Sequence, residues 1–201
     1  VERLNPAILA IEDLALKPKY IESHRLAPDN VRGTEVPVVL DLMIHDLDVI
    51  LSLVDSPVES MSASGVSIMT SSVDIANARL RFANGCVANI TSSRIAKDFV
   101  RKLRLFQQDM YVTIDFLLGL TEVYHVLEAG ERDPNAVFTA PLKGKNRERQ
   151  IVYEKPKGYK IDALKLELEN FVASLSGEQS PIVSGQEARE ALRIALEIQE
   201  K

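Results

Sequence analysis

Apolar residues crowd most densely between Val39 and Asp55. Read at about 100° per residue, they occupy nearly the whole circumference, which predicts a helix buried on most sides. Asp41, His45 and Asp48 interrupt that surface at i, i+4 and i+7, within an arc of roughly 60°. Burying three ionisable side chains is costly unless they pair with one another or line a cavity. The pattern therefore predicts a central helix with a cleft on the side of Asp41, His45 and Asp48.

The rest of the chain reads as elements arranged around this helix. Asn5 and Pro6 open a first helix with Ile8, Ile11, Leu14 and Ala15 as its stripe, ended by Pro18. Lys19 to Leu26 alternates as a half-buried strand, and a loop with Pro28, Arg32 and Gly33 leads into the central helix. Strand character then dominates from Val58 to Glu128. Asp74 to Phe82 and Cys86 to Ser93 flank Asn84-Gly85, which predicts a type I′ hairpin turn. Lys102 to Phe106, Tyr111 to Phe116 and Gly119 to Glu128 continue the meander, whose outer face would carry Asn77, Asn89, Thr91 and Ser93.

Ala129 to Arg149 lacks periodicity and reads as a mobile loop, followed by a short strand over Gln150 to Lys155. Asp162 caps a helix with Leu164, Leu168, Phe171, Val172 and Leu175 facing inward, and Ser184 to Glu187 forms a capping box for the last helix. Its stripe is Ala188, Ala191, Leu192, Ala195, Leu196 and Ile198. The expected fold is α+β: a mostly antiparallel, open-faced sheet with helices packed on one face.

Composition narrows the function. The chain has 201 residues, 46% hydrophobic and 26% charged, with net charge -5 and scattered basic residues. That argues against a nucleic-acid or anionic-membrane surface. No segment has the apolar length of a membrane span. The start at Val1 is neither a signal peptide nor an initiator methionine, so the chain is read as beginning in mid-protein. Lone Cys86 cannot form an internal disulfide and reads as a small buried hydrophobe, which fits a reducing cytoplasm.

Three readings of the Asp41, His45, Asp48 group compete. An Asp can orient the imidazole while His45 shuttles a proton to or from a hydroxyl or carbonyl. The three side chains can instead ligate a metal, as in a metal-dependent hydrolase, although no second His- or Cys-rich element completes such a site. The third reading is a helix-capping Asp, a packed His and a solvated Asp. Arg25 and Arg32 near the helix are candidates to clamp an anionic substrate group, and His24 and His125 read as structural or exposed. No glycine-rich phosphate loop is present, so this chain does not hold a dinucleotide by that device.

Asp41-Leu42-Met43-Ile44-His45-Asp46-Leu47-Asp48 resembles the D-x-G-x-H-x-x-D motif of the Gfo/Idh/MocA oxidoreductases, with Met43 where many members have Gly. Val1 to Pro6 resembles the segment after their nucleotide-binding domain, and Asp162 to Leu175 with Pro181 to Gly185 resembles their closing helices. His24 to Pro28 and Val73 to Gly85 resemble members associated with nucleotide-sugar 3-dehydrogenation in bacterial lipid A synthesis.

The resemblance implies that residues 1–201 form a substrate-binding and dimerisation domain whose N-terminal Rossmann domain, for NAD or NADP, is missing from this chain. It implies catalysis by His45 assisted by Asp41, Asp48 at the third motif position, and Arg3 near cofactor and substrate. It also implies a sugar or nucleotide-sugar substrate and a homodimer or homotetramer through the open sheet. The family's E-K-P lysine lies before the His motif, so Glu154-Lys155-Pro156, far after it, is read as coincidence. A non-enzymatic dimerisation or binding module of the same fold is the alternative from another class.

Overall fold

The computed structural model describes residues 1–28, 36–143, 148–158 and 161–201. Arg32, expected at the rim of the site, lies outside the described residues. A 3-10 turn over Glu2–Leu4 precedes α1 (Pro6–Leu9), a single turn capped by the Asn5 side chain, which accepts from the Ala7 N–H at 3.0 Å. The expected first helix is thus shorter than its apolar stripe. Ile11 is nevertheless buried, so the stripe serves irregular turns that still pack on the core.

β1 (Tyr20–Leu26) alternates inward and outward, with Ile21, Ser23 and Arg25 buried. The central helix follows as α2 (Ile44–Val54), preceded by one widened π turn over Val39–Met43 in which the Ile44 N–H reaches back to the Val39 carbonyl. Leu47, Val49, Ile50 and Val54 are buried beneath it, as its all-round apolarity requires. It ends where Asp55 takes a left-handed φ of 45°, and the Asn84 side chain donates to the Val54 carbonyl of the last turn at 3.3 Å.

The strands are β2 (Val58–Val66), β3 (Ile75–Phe82), β4 (Val87–Ser93), β5 (Val100–Gln107), β6 (Met110–Asp115), β7 (Leu120–Glu128), β8 (Ala136–Lys143) and β9 (Glu148–Glu154). They form a nine-stranded sheet in the order β2-β3-β4-β1-β5-β6-β7-β9-β8. The sheet is antiparallel except for β1, which runs parallel to β4. Within this α+β fold β1 is wedged between two antiparallel runs, with the inward side chains of its neighbours on either flank.

Two local expectations are corrected. Ala129 to Arg149 is not all loop, because β8 lies within it and pairs with β9 as the outermost strand. Pro141 obscured it in the sequence, and an edge is where a sheet tolerates proline. The Asn84-Gly85 hairpin is not type I′, because only Gly85 has positive φ, at 84°. Asn84 instead uses its side chain, accepting from the Cys86 N–H at 3.0 Å.

α3 (Ala163–Leu175) is capped by Asp162, and α4 (Gly185–Gln199) by a capping box between Ser184 and Glu187. α4 buries Ala191, Ile194, Ala195 and Ile198 against α2, whereas Leu192 and Leu196 are partly exposed. α3 reverses expectation altogether: Leu164, Leu168, Phe171, Val172 and Leu175 all face solvent, and of this helix only Asn170 is buried. No helix among the described residues is long and apolar enough to cross a membrane.

The sheet face away from the helices is open. It carries Asn77 donating to Thr91 at 2.9 Å, Arg79 donating to Asn89 at 3.0 Å and Asn89 donating to the Tyr20 hydroxyl at 2.6 Å. Beyond Tyr20 the face changes character. Tyr20, Phe106, Tyr111, Tyr124, Tyr153 and Phe138 stand side by side across successive strands, with neighbouring centroids 4.7–5.8 Å apart. The small polar residues were expected there. The aromatic row was not, because its members are far apart in sequence and meet only once register is set.

Candidate functional site

The site is built where α2 crosses the sheet beside the end of β1. Arg25 ends the inward face of β1 and meets Asp46, which points from α2 into the protein. The Arg25 guanidinium donates to both Asp46 oxygens, at 2.9 and 3.1 Å, and to Glu2 at 2.8 Å. Both partners are almost fully buried, with side chains 3% and 2% exposed. Burial pushes the Asp46 carboxyl up and the Arg25 cation opposes it. Burial also works against the charge on Arg25, but Asp46 and Glu2 outweigh it and raise its proton affinity. Arg25 was expected to clamp a substrate anion. Its donors are instead committed to carboxylates inside the protein, which buried charge demands.

A second pair lies one turn along. Arg3 donates to both Asp48 oxygens, at 3.0 and 2.6 Å, and to Glu187 of α4 at 2.5 Å. The bidentate fork fixes the turn over Glu2–Leu4 against α2 and α4. Hydrogen bonds from Arg3 and Ser184 hold Glu187 down to about 2. Asp48 therefore does not join His45 as the arc on the helical wheel suggested. It is drawn sideways to Arg3.

His45 and Asp41 remain on the exposed side of the helix. Neither side chain hydrogen-bonds to another described residue. The His45 imidazole is open to solvent, as a proton-transfer role requires, and its proton affinity is lowered. Partial burial is the first cause and the Arg25 cation the second; Glu2 and Asp46 oppose them, and Arg101 adds to the lowering. The ring is accordingly neutral at pH 7 with a nitrogen lone pair available.

Four contributors escaped the sequence reading: Asp46, Glu2, Arg101 and Glu187. Arg101 is the second residue of β5, is paired in register with Arg25 and shares its inward face. It is 40% exposed, and its one carboxylate neighbour among the described residues, Glu2, is 3.9 Å away. Its charge is felt at His45, and among the described residues its donors are less committed than those of Arg25. A signal for Asp46 did exist: a carboxylate on a greasy helix face calls for a buried cation, and Ile21, Ser23, Arg25 alternate inward. Arg101 had no such signal, because only the β1–β5 register sets it beside Arg25.

A separate group lies far along the sheet, where His125 of β7 has Asp133 3.1 Å from Nε2 and Glu154 of β9 2.9 Å from Nδ1. Glu154 of the Glu154-Lys155-Pro156 triplet thus answers His125 and stands apart from the central helix.

Comparison with known proteins defines the class. Residues 20–109 match the family model of the GFO/IDH/MocA C-terminal domain. Over these residues the chain is similar to the Gfo/Idh/MocA family. Among relatives, it is 32% identical over 199 residues to UDP-N-acetylglucosamine 3-dehydrogenase of Acidithiobacillus ferrooxidans, covering 98% of this chain and 59% of that protein. A solved structure of that dehydrogenase, GnnA, superposes with a TM-score of 0.84 at 32% identity, over 99% of this chain and 59% of that one. Levoglucosan dehydrogenase, solved with NADH and levoglucosan, superposes with a TM-score of 0.72 at 17% identity, over 99% of this chain and 61% of that one, and shows the shared fold. The chain thus spans about three-fifths of the length of these relatives.

Proposed function

We propose that this chain is the substrate-binding and proton-handling part of an NAD(P)-dependent oxidoreductase that acts on a nucleotide sugar of the UDP-N-acetylhexosamine class. The observation that carries this reading is the solvent-open His45 on α2, seated above a buried Arg25–Asp46–Glu2 cluster and beside Arg101. The 32% identity to a UDP-N-acetylglucosamine 3-dehydrogenase supports the choice of substrate.

The described residues do not fit a dinucleotide. Among them no glycine-rich turn joins a strand to a helix N-terminus, and the sheet is antiparallel apart from the β1–β4 pair, where a doubly wound parallel one would be needed. On this reading NAD or NADP is held by a domain preceding Val1. Oxidation of a secondary alcohol to a ketone releases a proton as well as a hydride, and the proton is the share that falls to this chain. Neutral His45 accepts it from the sugar hydroxyl and returns it in the reverse direction. Asp41, exposed in the turn that leads into α2, is the acid assigned to assist it. Arg101 receives the diphosphate, whose charge the committed Arg25 and Arg3 cannot meet. The open sheet face pairs with a second copy to give a dimer or tetramer.

The test is to supply the longer protein with NAD+ or NADP+ and a panel of UDP-sugars and to follow nicotinamide reduction. A UDP-N-acetylhexosamine should be oxidised, and Arg101→Gln should raise KM about tenfold while leaving kcat within a few-fold. No reduction with any nucleotide sugar would refute the reading and favour a binding module.

A further inference from the structure

The group around His125 has no part in the chemistry assigned to α2, and its composition is that of a metal site. His125 is paired in register with Val152, and Glu154 with Val123. Those valines are buried, so His125 and Glu154 share the covered face of the sheet. Asp133 approaches from the connection between β7 and β8. Its Oδ1 accepts from the Asn135 N–H at 2.7 Å, which leaves Oδ2, 3.1 Å from His125 Nε2, to face the ring. The connection is itself pinned, because the Glu131 carboxylate accepts from the Glu128 N–H at 3.0 Å and the Glu131 carbonyl from the Gln150 side chain at 2.5 Å.

Two observations separate this group from an ordinary surface ion pair. The first is the imidazole itself: Nδ1 is buried and has no hydrogen-bond partner, although a Glu154 oxygen lies only 2.9 Å away. The approach is short without the alignment of a hydrogen bond, so the nitrogen is unspent. The second is charge. The His125, Asp133 and Glu154 side chains are only 13–16% exposed, and among the described residues no Lys or Arg pairs with either carboxylate. Burial first and the neighbouring Asp133 charge second push the Glu154 carboxyl up, while the His125 ring opposes them. Two sheltered carboxylates and a ring nitrogen thus converge with no fixed cation among them.

We propose that His125, Asp133 and Glu154 bind a divalent first-row transition ion through one imidazole nitrogen and two carboxylate oxygens. One donor atom from each residue can be chosen so that all three lie within 4.8 Å of one another. Ligands held at about 2.1 Å and at right angles around one ion stand about 3.0 Å apart, close to the separation of Nδ1 from Glu154. The imidazole selects the class of ion, because magnesium and calcium take oxygen ligands while zinc and its neighbours accept nitrogen. The ion ties together β7, β9 and the connection into β8, the outermost strand of the sheet. Its role is therefore a clip on that edge, and it stands or falls independently of the oxidoreductase reading.

The experiment is a calorimetric titration of the chelator-stripped protein with zinc chloride, repeated with magnesium and calcium chloride. One zinc ion per chain should bind with a Kd of about 10 μM or tighter, and magnesium and calcium should bind at least a hundredfold more weakly. Asp133→Asn keeps an acceptor for the Asn135 N–H and removes only the charged donor, so the fold should persist by circular dichroism. It should weaken zinc tenfold or more, and Glu154→Gln and His125→Ala should do the same. His45→Gln tests the helix residues as the seat and should leave zinc affinity within twofold. In thermal unfolding, saturating zinc should raise the midpoint of the parent and not that of Asp133→Asn. No zinc binding below about 100 μM, equal binding in the parent and Asp133→Asn, or binding lost only in His45→Gln would each overturn the proposal.

Discussion

Arg25 shows how the chemistry of single residues decides this site. A guanidinium that bonds two oxygens of Asp46 and one of Glu2 has little left for a ligand, so its contribution is to hold α2 at a fixed height over β1. Removing it strands the Asp46 carboxylate in the core. Arg25→Met should therefore destabilise the fold by about 3–5 kcal/mol in urea unfolding. A loss under about 1 kcal/mol would mean that Asp46 finds another partner or takes up a proton without cost. At this scale the sequence told which residue types gather at the site and misassigned several of their duties. The Asp41, His45, Asp48 arc was visible, but Asp48 is taken by Arg3 and Arg25 by Asp46, and those choices depend on contacts between residues up to 45 positions apart.

Elements were more legible than their orientation. Alternation located the strands from β1 to β7, and the caps at Asp162 and Ser184 were each identified from local chemistry. What periodicity cannot tell is whether an apolar stripe meets its own chain or another body, and α3 is the case in point. The widened turn over Val39–Met43 was equally hidden, because a π turn differs from an α turn by one hydrogen-bond step and leaves no mark on hydrophobic spacing.

The connection between β2 and β3 is held by one side chain. The Asp74 carboxylate accepts from the Ile68, Met69 and Thr70 N–H groups at 2.7–3.0 Å and from the Thr70 hydroxyl at 2.7 Å. The Thr70 hydroxyl and the Ile68 N–H are the main reasons its proton affinity lies well below the usual value of 3.8. A carboxylate depressed on folding stabilises above its unfolded value and loses that contribution as pH falls through the folded one. Stability from Asp74 should thus be complete at neutral pH and decline below about pH 4. Asp74→Asn should lower stability at neutral pH and flatten that acid limb in thermal unfolding. An unchanged limb would remove Asp74 from the account.

For the whole molecule, the sheet has one face covered by helices and one bare. The bare face combines a flat polar area with the aromatic row, a composition suited to burial against its own copy. On the proposed pairing through this face, the longer protein should run as a dimer or tetramer in light scattering, and replacing the middle of the row with charge, as in Tyr111→Arg, should give monomers with the fold retained by circular dichroism. An unaltered mass would place the interface elsewhere. The fold class was readable because antiparallel hairpins are local in sequence. The insertion of β1 beside β4 was not, since that parallel pair joins segments some seventy residues apart.

The central claim is that His45 moves the substrate proton. Its lowered proton affinity places the protonation that stops it below the ordinary histidine value of 6.5. The direct test is the pH dependence of kcat/KM for the longer enzyme and its His45→Gln variant. The parent should show an acid limb with an apparent pKa below 6.5. The variant should turn over about 10²–10⁴-fold more slowly and lack that limb, with unchanged thermal stability. Near-parental turnover, or an acid limb that survives the substitution, would contradict the account.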